Sequence, residues 1–293
     1  MKRIKVDFVD FWPNLYKEDN YFYNLLSTKY DVSIDEENPD ILFFSVDYFN
    51  QRERDRYKNC LKIFYTGENV SPNYDECDIA FSYERSDDPR NYRLPLWSIL
   101  LNWFDKEYIE DRDQAFLYPV SDFLNKKPIP KEHFCSFVAT QPKGERVSFV
   151  PNLIKKYKNV HCAGRLHNNL GGVLKGRGDQ IHKIDFLSHF KFNIAFENES
   201  NDGYATEKII HSMFAGCIPI YWGDPNISLD FNRDSFLSLH DFESQDHLIE
   251  EIKRIDSDEN VYNDMINQPW FNNNKIPDFI LPENVLSFIE KYL

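Results

Sequence analysis

Residues 196–224 read FENESNDGYATEKIIHSMFAGCIPIYWGD, and the fold is decided here. The stretch begins as the end of an apolar strand, passes through a polar loop into a charged helix start, and closes on a second apolar strand. In an open α/β sheet, the loop after a strand's carboxyl end is where ligands sit. Asn198, Glu199, Asp202, Tyr204, Thr206, Glu207 and Lys208 crowd that loop and the helix start. A helix start offers N–H groups and a positive dipole end, which suits phosphate. Lys208 is misplaced for helix stability, because cations favour the other end. An anion held between the lysine and the dipole accounts for the placement. Ile209, Ile210, Met213, Phe214 and Cys217 form the helix's apolar stripe, with Lys208 beside it. Lys208 is therefore a candidate to neutralise a diphosphate and Glu207 to accept from sugar hydroxyls, against the plainer alternative of a surface charge pair.

The same alternation runs outward in both directions. Strands are expected over Lys5–Phe11, Ile41–Val46, Leu61–Tyr65 and Ile79–Tyr83, and helices over Tyr21–Tyr30, Gln51–Asn59 and Leu94–Phe104. Residues 119–133 carry Pro119, Pro128 and Pro130 and read as a linker or a surface crossing. Strands then recur over Phe134–Ala139, Val160–Ala163, Phe192–Phe196 and Ile218–Trp222. The helices between and after them are Val147–Tyr157, Ile181–His189, Glu207–Phe214, His247–Ile255 and Glu283–Tyr292. Two such arrays predict two Rossmann-like α/β domains facing each other across a cleft. Neither a GxGxxG nor a GxxxxGK[ST] motif is present.

Composition narrows the partners. The 293 residues are 42% apolar, enough for a real core, and carry a formal net charge of −14. A nucleic-acid partner needs a basic footprint and is not expected. A small phosphorylated ligand needs only a local cationic pocket. The five cysteines, at 60, 77, 135, 162 and 217, are odd in number and form no CxxC, which reads as reduced core thiols. No apolar run approaches the ~18 residues of a membrane span. The opening MKRIKVDFVDFW is broken by Asp7 and Asp10, so it reads as a first strand and not a signal peptide. A cytoplasmic protein is expected, with peripheral attachment to a membrane left open.

Three further groups could carry chemistry. Glu68, in YTGENVSP, follows the strand Leu61–Tyr65 and Gly67, where a general base for a cleft would stand. Its plainer reading is a solvated loop glutamate. Arg165, in HCAGRLHNNLGG, stands at a strand end and suits a bidentate phosphate contact, with His167 and Asn168 as neighbouring alternates, against the equal alternative of a surface arginine in a Gly/Asn loop. The run from Gly171 to Gly178, with Lys175 and Arg177, reads as a solvated turn ahead of the alternative, a mobile phosphate-facing loop. His161, His182, His189, His211, His240 and His247 share no ligand spacing, and no Asp-x-Asp closes an obvious apolar strand, so no metal site is expected.

TGENVSPNYDECDIAFSYE, followed by KFNIAFENE and DGYATEKIIHSMFAGCIPIYWGDPNI, resembles the α1,3/α1,4-fucosyltransferases, and most of all their compact bacterial members. The similarity extends more weakly through FVATQPKGERVSF, HCAGR and DFNRDSFLSLHDF. It implies a GT-B architecture with an acceptor-binding domain over 1–130 and a GDP-fucose-binding domain over 131–282. The helix 283–293 is a candidate to pack back on the first domain. It also implies inverting transfer of L-fucose from GDP-β-L-fucose to the 3-OH or 4-OH of N-acetylglucosamine or glucose in a β-galactoside acceptor, giving a Lewis-type glycan. By position, Glu68 resembles the general base, and Asn198, Tyr204, Thr206, Glu207 and Lys208 resemble donor-site residues. Arg165 matches an arginine of the animal members, whereas bacterial members place one nearer His167. Trp97 and Trp103 are acceptor candidates. No cofactor is implied beyond the donor sugar, with stimulation by manganese or magnesium left open. Two rival readings remain: a GT-B transferase of another nucleotide sugar, and a silent glycan-binding protein on the same scaffold.

Overall fold

The computed structural model describes residues 1–13, 15–107, 118–125, 130–174 and 180–293, the side chains of 180 and 181 aside. The chain divides into two compact units, Met1–Pro119 with Pro277–Leu293, and Val120–Ile276.

In the first unit, β1 (Arg3–Val9), β2 (Asp31–Ile34), β3 (Ile41–Phe44), β4 (Leu61–Tyr65), β5 (Ile79–Ser82) and β6 (Asn91–Arg93) form a parallel sheet in the order β2-β1-β3-β4-β5-β6. The period of two along a strand explains the unbroken ILFF of β3. Ile41 and Phe43 enter one core and Leu42 and Phe44 another, so both faces of the sheet are covered. The edge strands β2 (DVSI) and β6 (NYR) are only partly buried and carry no such run, so hydropathy does not announce them. Helix α1 (Tyr21–Ser27) is capped by Asn20, whose Oδ1 accepts from the Tyr23 N–H at 3.0 Å.

The helix expected over Leu94–Phe104 shrinks to one turn, α2 (Leu96–Ile99). After it β7 (Leu101–Asn102) pairs with β8 (Tyr118–Pro119), which draws the backbone out of helical geometry.

The second unit begins with α3 (Val120–Leu124), inside the stretch read as a linker. Phe123 explains the assignment, since its ring packs on Trp270 and Phe271 at centroid distances of 5.2 and 5.8 Å. The division therefore falls at 119/120 and 276/277, where the sequence reading placed it at 130/131 and 282/283. Strands β9 (His133–Phe137), β10 (Val160–Cys162), β11 (Phe190–Phe196), β12 (Ile218–Trp222) and β13 (Leu237–Ser238) form a second parallel sheet, in the order β10-β9-β11-β12-β13. Around it run α4 (Arg146–Lys156), α5 (Gln180–Ser188), α6 (Glu207–Phe214), α7 (Gln245–Ser257) and α8 (Glu259–Ile266). The last helix, α9 (Pro282–Glu290), belongs to the first unit, where Val285, Leu286, Phe288 and Ile289 complete the core.

Both sheets reverse their strand order once, between β1 and β3 and between β9 and β11. At such a switch point the connections leave the carboxyl ends toward opposite faces and open a crevice for a ligand. Among the described residues no helix is long and apolar enough to cross a membrane.

Candidate active site

At the switch point of the second unit, the centre of the arrangement is Glu197, which the sequence reading quoted within FENE but did not single out. It follows β11 directly, and its N–H continues the sheet ladder to the Trp222 carbonyl at 2.7 Å. The side chain is wholly buried. Its Oε1 accepts from the Thr206 N–H at 2.8 Å and the Thr206 hydroxyl lies 2.7 Å from Oε2. Lys208 donates from Nζ to the same Oε2 at 2.7 Å and to Thr206 Oγ1 at 2.7 Å. Thr206 therefore directs its hydroxyl at Glu197 and makes no cap hydrogen bond with α6. A Cβ on Gly223 would stand 2.5 Å from Glu197 Cγ, so this node forms only against a glycine.

The charges around the node are mutually supporting. Burial works against the Lys208 ammonium, but Glu197 and Glu207 outweigh it and hold its pKa above the ordinary value. Burial likewise opposes the Glu207 carboxylate, and Lys208, Lys183 and His211 overcome it, holding that pKa well below the ordinary value. Glu207 lies 3.6 Å from Lys208 and 3.9 Å from Lys183. A depressed carboxylate contributes stability that is lost only as pH falls below the ordinary carboxylate range. A raised lysine contributes stability that is lost only as pH rises past the ordinary lysine range. The pair thus stays charged across neutral pH.

Arg146, at the start of α4, faces the same loop. It is 2% exposed, its Nη2 donates to Asn198 Oδ1, and its Nε is buried without a hydrogen-bond partner. Burial pulls its guanidinium below the ordinary value, with Glu197, Tyr204 and Glu207 opposing. The bond to Oδ1 fixes the Asn198 amide, so that its NH2 points away from Arg146. Arg146 escaped the sequence reading, yet the argument that singled out Lys208 applies to it: a cation in a helix's first turn opposes the dipole. The loop before it depends on Gly144, at φ +61°, where a Cβ would lie 2.4 Å from the Trp222 ring and 3.2 Å from the Asn198 carbonyl. Gly144→Ala is expected to destabilise the protein by about 1–3 kcal/mol. Urea unfolding checks this, and an unchanged midpoint would refute it.

Tyr204 is buried, and Gly203 beside it donates its N–H to Asp224 Oδ1 at 2.9 Å. Arg165 is exposed, in the loop after β10, and makes no ion pair among the described residues. Strand β9 lies between it and β11. His167 is left-handed at φ +57°, with Nε2 buried and unpartnered. Asn168 ties the loop together, donating to the carbonyls of Gly164 and Gly172 at 2.8 Å each. Lys175 and Arg177 lie outside the described residues.

In the first unit, Glu68 stands just past the carboxyl end of β4, partly buried. Its N–H donates to Thr66 Oγ1 at 3.0 Å, and its Oε1 accepts from the Tyr48 hydroxyl at 2.8 Å. Of the two tryptophans, the structure corrects Trp97. Trp97 is wholly buried, edge-on to Phe279, so it is a core residue that no acceptor can reach. Trp103 packs against the core of the same unit and donates its indole N–H to the Ser98 carbonyl at 2.9 Å.

A parallel sheet whose switch point carries buried cations and carboxylates is a frame suited to an anionic small ligand. Residues 6–100 match the N-terminal domain of the α-(1,3)-fucosyltransferase FucT, and residues 127–281 match the C-terminal region of glycosyltransferase family 10 (fucosyltransferase). Over 274 residues the chain is 33% identical to α-(1,3)-fucosyltransferase FucT of Helicobacter pylori, covering 85% of this chain and 56% of that protein. The chain thus spans little more than half the length of that relative. A crystal structure of an α1,3-fucosyltransferase with GDP matches at TM-score 0.76 and 29% identity, covering 99% of this chain and 90% of the other. One with GDP-fucose matches at 0.77 and 29%, with the same coverage. The chain belongs to the fucosyltransferases of glycosyltransferase family 10, and its α/β fold is of the GT-B type.

Proposed function

We propose that the protein is an inverting α1,3-fucosyltransferase. It moves L-fucose from GDP-β-L-fucose to the 3-OH, or the 4-OH, of N-acetylglucosamine or glucose in a β-galactoside acceptor, forming an α-fucoside of Lewis type. The observation that carries this reading is the Glu197–Thr206–Lys208 node at the uncapped start of α6, beside the buried Arg146. Two donors of the Lys208 ammonium go to Glu197 and Thr206, which leaves a third for a phosphate oxygen. The second unit is assigned the donor and the first the acceptor.

A β-linked donor and an α product require one in-line displacement. Glu68 takes the proton of the incoming hydroxyl as its oxygen attacks the fucose C1. Positive charge develops on the sugar ring as the bond to the diphosphate lengthens. Negative charge gathers on the departing GDP, where Lys208, the α6 N–H groups and Arg146 or Arg165 stabilise it. Glu207 accepts from fucose hydroxyls and Asn198 donates from its fixed amide. Because these cations neutralise the leaving group, transfer is expected to continue in EDTA at no less than about half its rate. Complete loss on chelation, restored by manganese, would assign that charge to a metal instead. The five cysteines are all free thiols, which fits the reducing cytoplasm as the place of reaction.

The test is GDP release from GDP-fucose with N-acetyllactosamine, with lactose and with no acceptor, and the same assays with GDP-mannose and UDP-galactose. Acceptor-dependent release from GDP-fucose alone is expected. Turnover of another donor in its place would make the protein a transferase of that sugar. Tight glycan binding with no release from any donor would make it a silent lectin-like member.

A further inference from the structure

The first unit has a switch point of its own, between β1 and β3. The two loops that leave the carboxyl ends there are tied to each other. Asp10, just past β1, is buried, and its carboxylate accepts from the Glu53 N–H at 2.9 Å and from Arg54 Nη1 at 2.9 Å. Its carbonyl accepts from the Asp47 N–H at 3.0 Å. Asp47 in turn accepts from the Gln51 and Arg52 N–H groups at 2.9 Å each. Asp47, Asn50 and Arg52 all have left-handed φ, at 56°, 56° and 46°. Such conformations persist only where surrounding bonds over-determine them, and they cluster where a loop must present something.

That loop presents Tyr48 and Phe49. Phe49 is 57% exposed on a backbone pinned from both ends, and on the loop after β4 Val70 is 43% exposed. A large exposed aromatic offers a flat apolar face on which a ring can stack. Tyr48, the preceding residue in the chain, reaches Glu68 with its hydroxyl at 2.8 Å. The exposed ring and the carboxylate are thereby linked through a single residue. A pyranose fits both: its axial C–H bonds form an apolar face, and its hydroxyls lie at the rim.

We propose that Phe49 is the platform on which the acceptor's pyranose ring stacks, and that Tyr48 is a positioning residue that turns the Glu68 carboxylate toward the attacking hydroxyl. The Tyr48 role rests on the reading of Glu68 as the base; the Phe49 role requires only that the first unit take the acceptor. This platform replaces Trp97, which is wholly buried, as an aromatic contact of the acceptor.

The experiment is steady-state kinetics on the full chain, with N-acetyllactosamine or lactose varied at saturating GDP-fucose. The variants are Phe49→Ala, Phe49→Trp and Tyr48→Phe, with the active fraction fixed by GDP-binding stoichiometry. Phe49→Ala is expected to raise the acceptor KM about tenfold and leave the GDP-fucose KM unchanged, and Phe49→Trp to restore it. Tyr48→Phe is expected to lower kcat about tenfold with both KM values held. A merely structural loss would lower the active fraction instead. An acceptor KM for Phe49→Ala within about twofold of the parent overturns the platform, whatever Glu68 does. An unchanged kcat for Tyr48→Phe beside an inactive Glu68→Gln overturns the positioning role and leaves the base standing. An active Glu68→Gln overturns the base, and the role of Tyr48 with it.

Discussion

Glu68→Gln is expected to lower kcat by about two to four orders of magnitude and to leave GDP affinity unchanged. The amide keeps the size of the carboxylate and its contact with the Tyr48 hydroxyl, but it cannot accept a proton from an alcohol. The fucosyl–phosphate bond is itself labile, so slow donor hydrolysis is expected to survive the substitution. GDP affinity should hold because Glu68 belongs to the first unit, whereas Glu207, Lys208 and Arg146 belong to the second. Single-turnover transfer to N-acetyllactosamine, beside calorimetry of GDP binding, separates the two effects. Turnover within about tenfold of the parent would leave proton removal to another group or to water.

The second large effect is expected at Glu197. Glu197→Gln leaves the Lys208 ammonium without its nearest countercharge, at a side chain only 19% exposed. Lys208→Met leaves the wholly buried Glu197 carboxylate without its ammonium partner. Breaking a buried pair from one side costs about 3–5 kcal/mol, because the surviving charge keeps its desolvation penalty. Replacing both partners removes that penalty. The double variant Glu197→Gln with Lys208→Met is therefore expected to recover much of the stability lost by either single variant. It should not recover GDP binding, since the cation is gone. Urea unfolding and GDP calorimetry on the three variants test this. Strictly additive losses in stability would mean that the two side chains do not depend on each other. GDP binding retained in Lys208→Met would remove the lysine from the diphosphate site.

Most of the backbone pattern was open to reading in the chain, and the reason is visible in particular strands. Leu61–Tyr65, Ile218–Trp222 and helix Glu207–Phe214 have the bounds expected of them, because central strands are covered on both faces and α6 carries a clear apolar stripe. Edge strands β2 and β6 were not anticipated, since half-buried polar residues give no such signal. The candidate site was legible where its residues are neighbours in sequence, as in the cluster of Thr206, Glu207 and Lys208. It was not legible where neighbours are made by folding. Glu197 looks like any loop carboxylate until its side chain is seen turned beneath Thr206 and Lys208. Arg146 meets Asn198 from 52 residues away, across a switch point that only the strand order reveals. Trp97 shows the opposite error: an aromatic-rich segment suits a sugar platform and a core equally, and only burial separates them.

The return of α9 to the first unit has a consequence for how the molecule is made. The Phe288 ring lies 5.6 Å from Phe81 and 5.1 Å from Tyr92, and Tyr30 donates to Glu290 at 2.6 Å. These partners emerge from the ribosome some two hundred residues before the helix that covers them, which at about 5–20 residues per second is a wait of roughly ten to forty seconds. The half translated first is therefore the half finished last, with an apolar face bare in the nascent chain meanwhile. A premature stop codon shortly before position 282 would strip the amino-terminal sheet of its cover and spare the unit encoded just upstream of it.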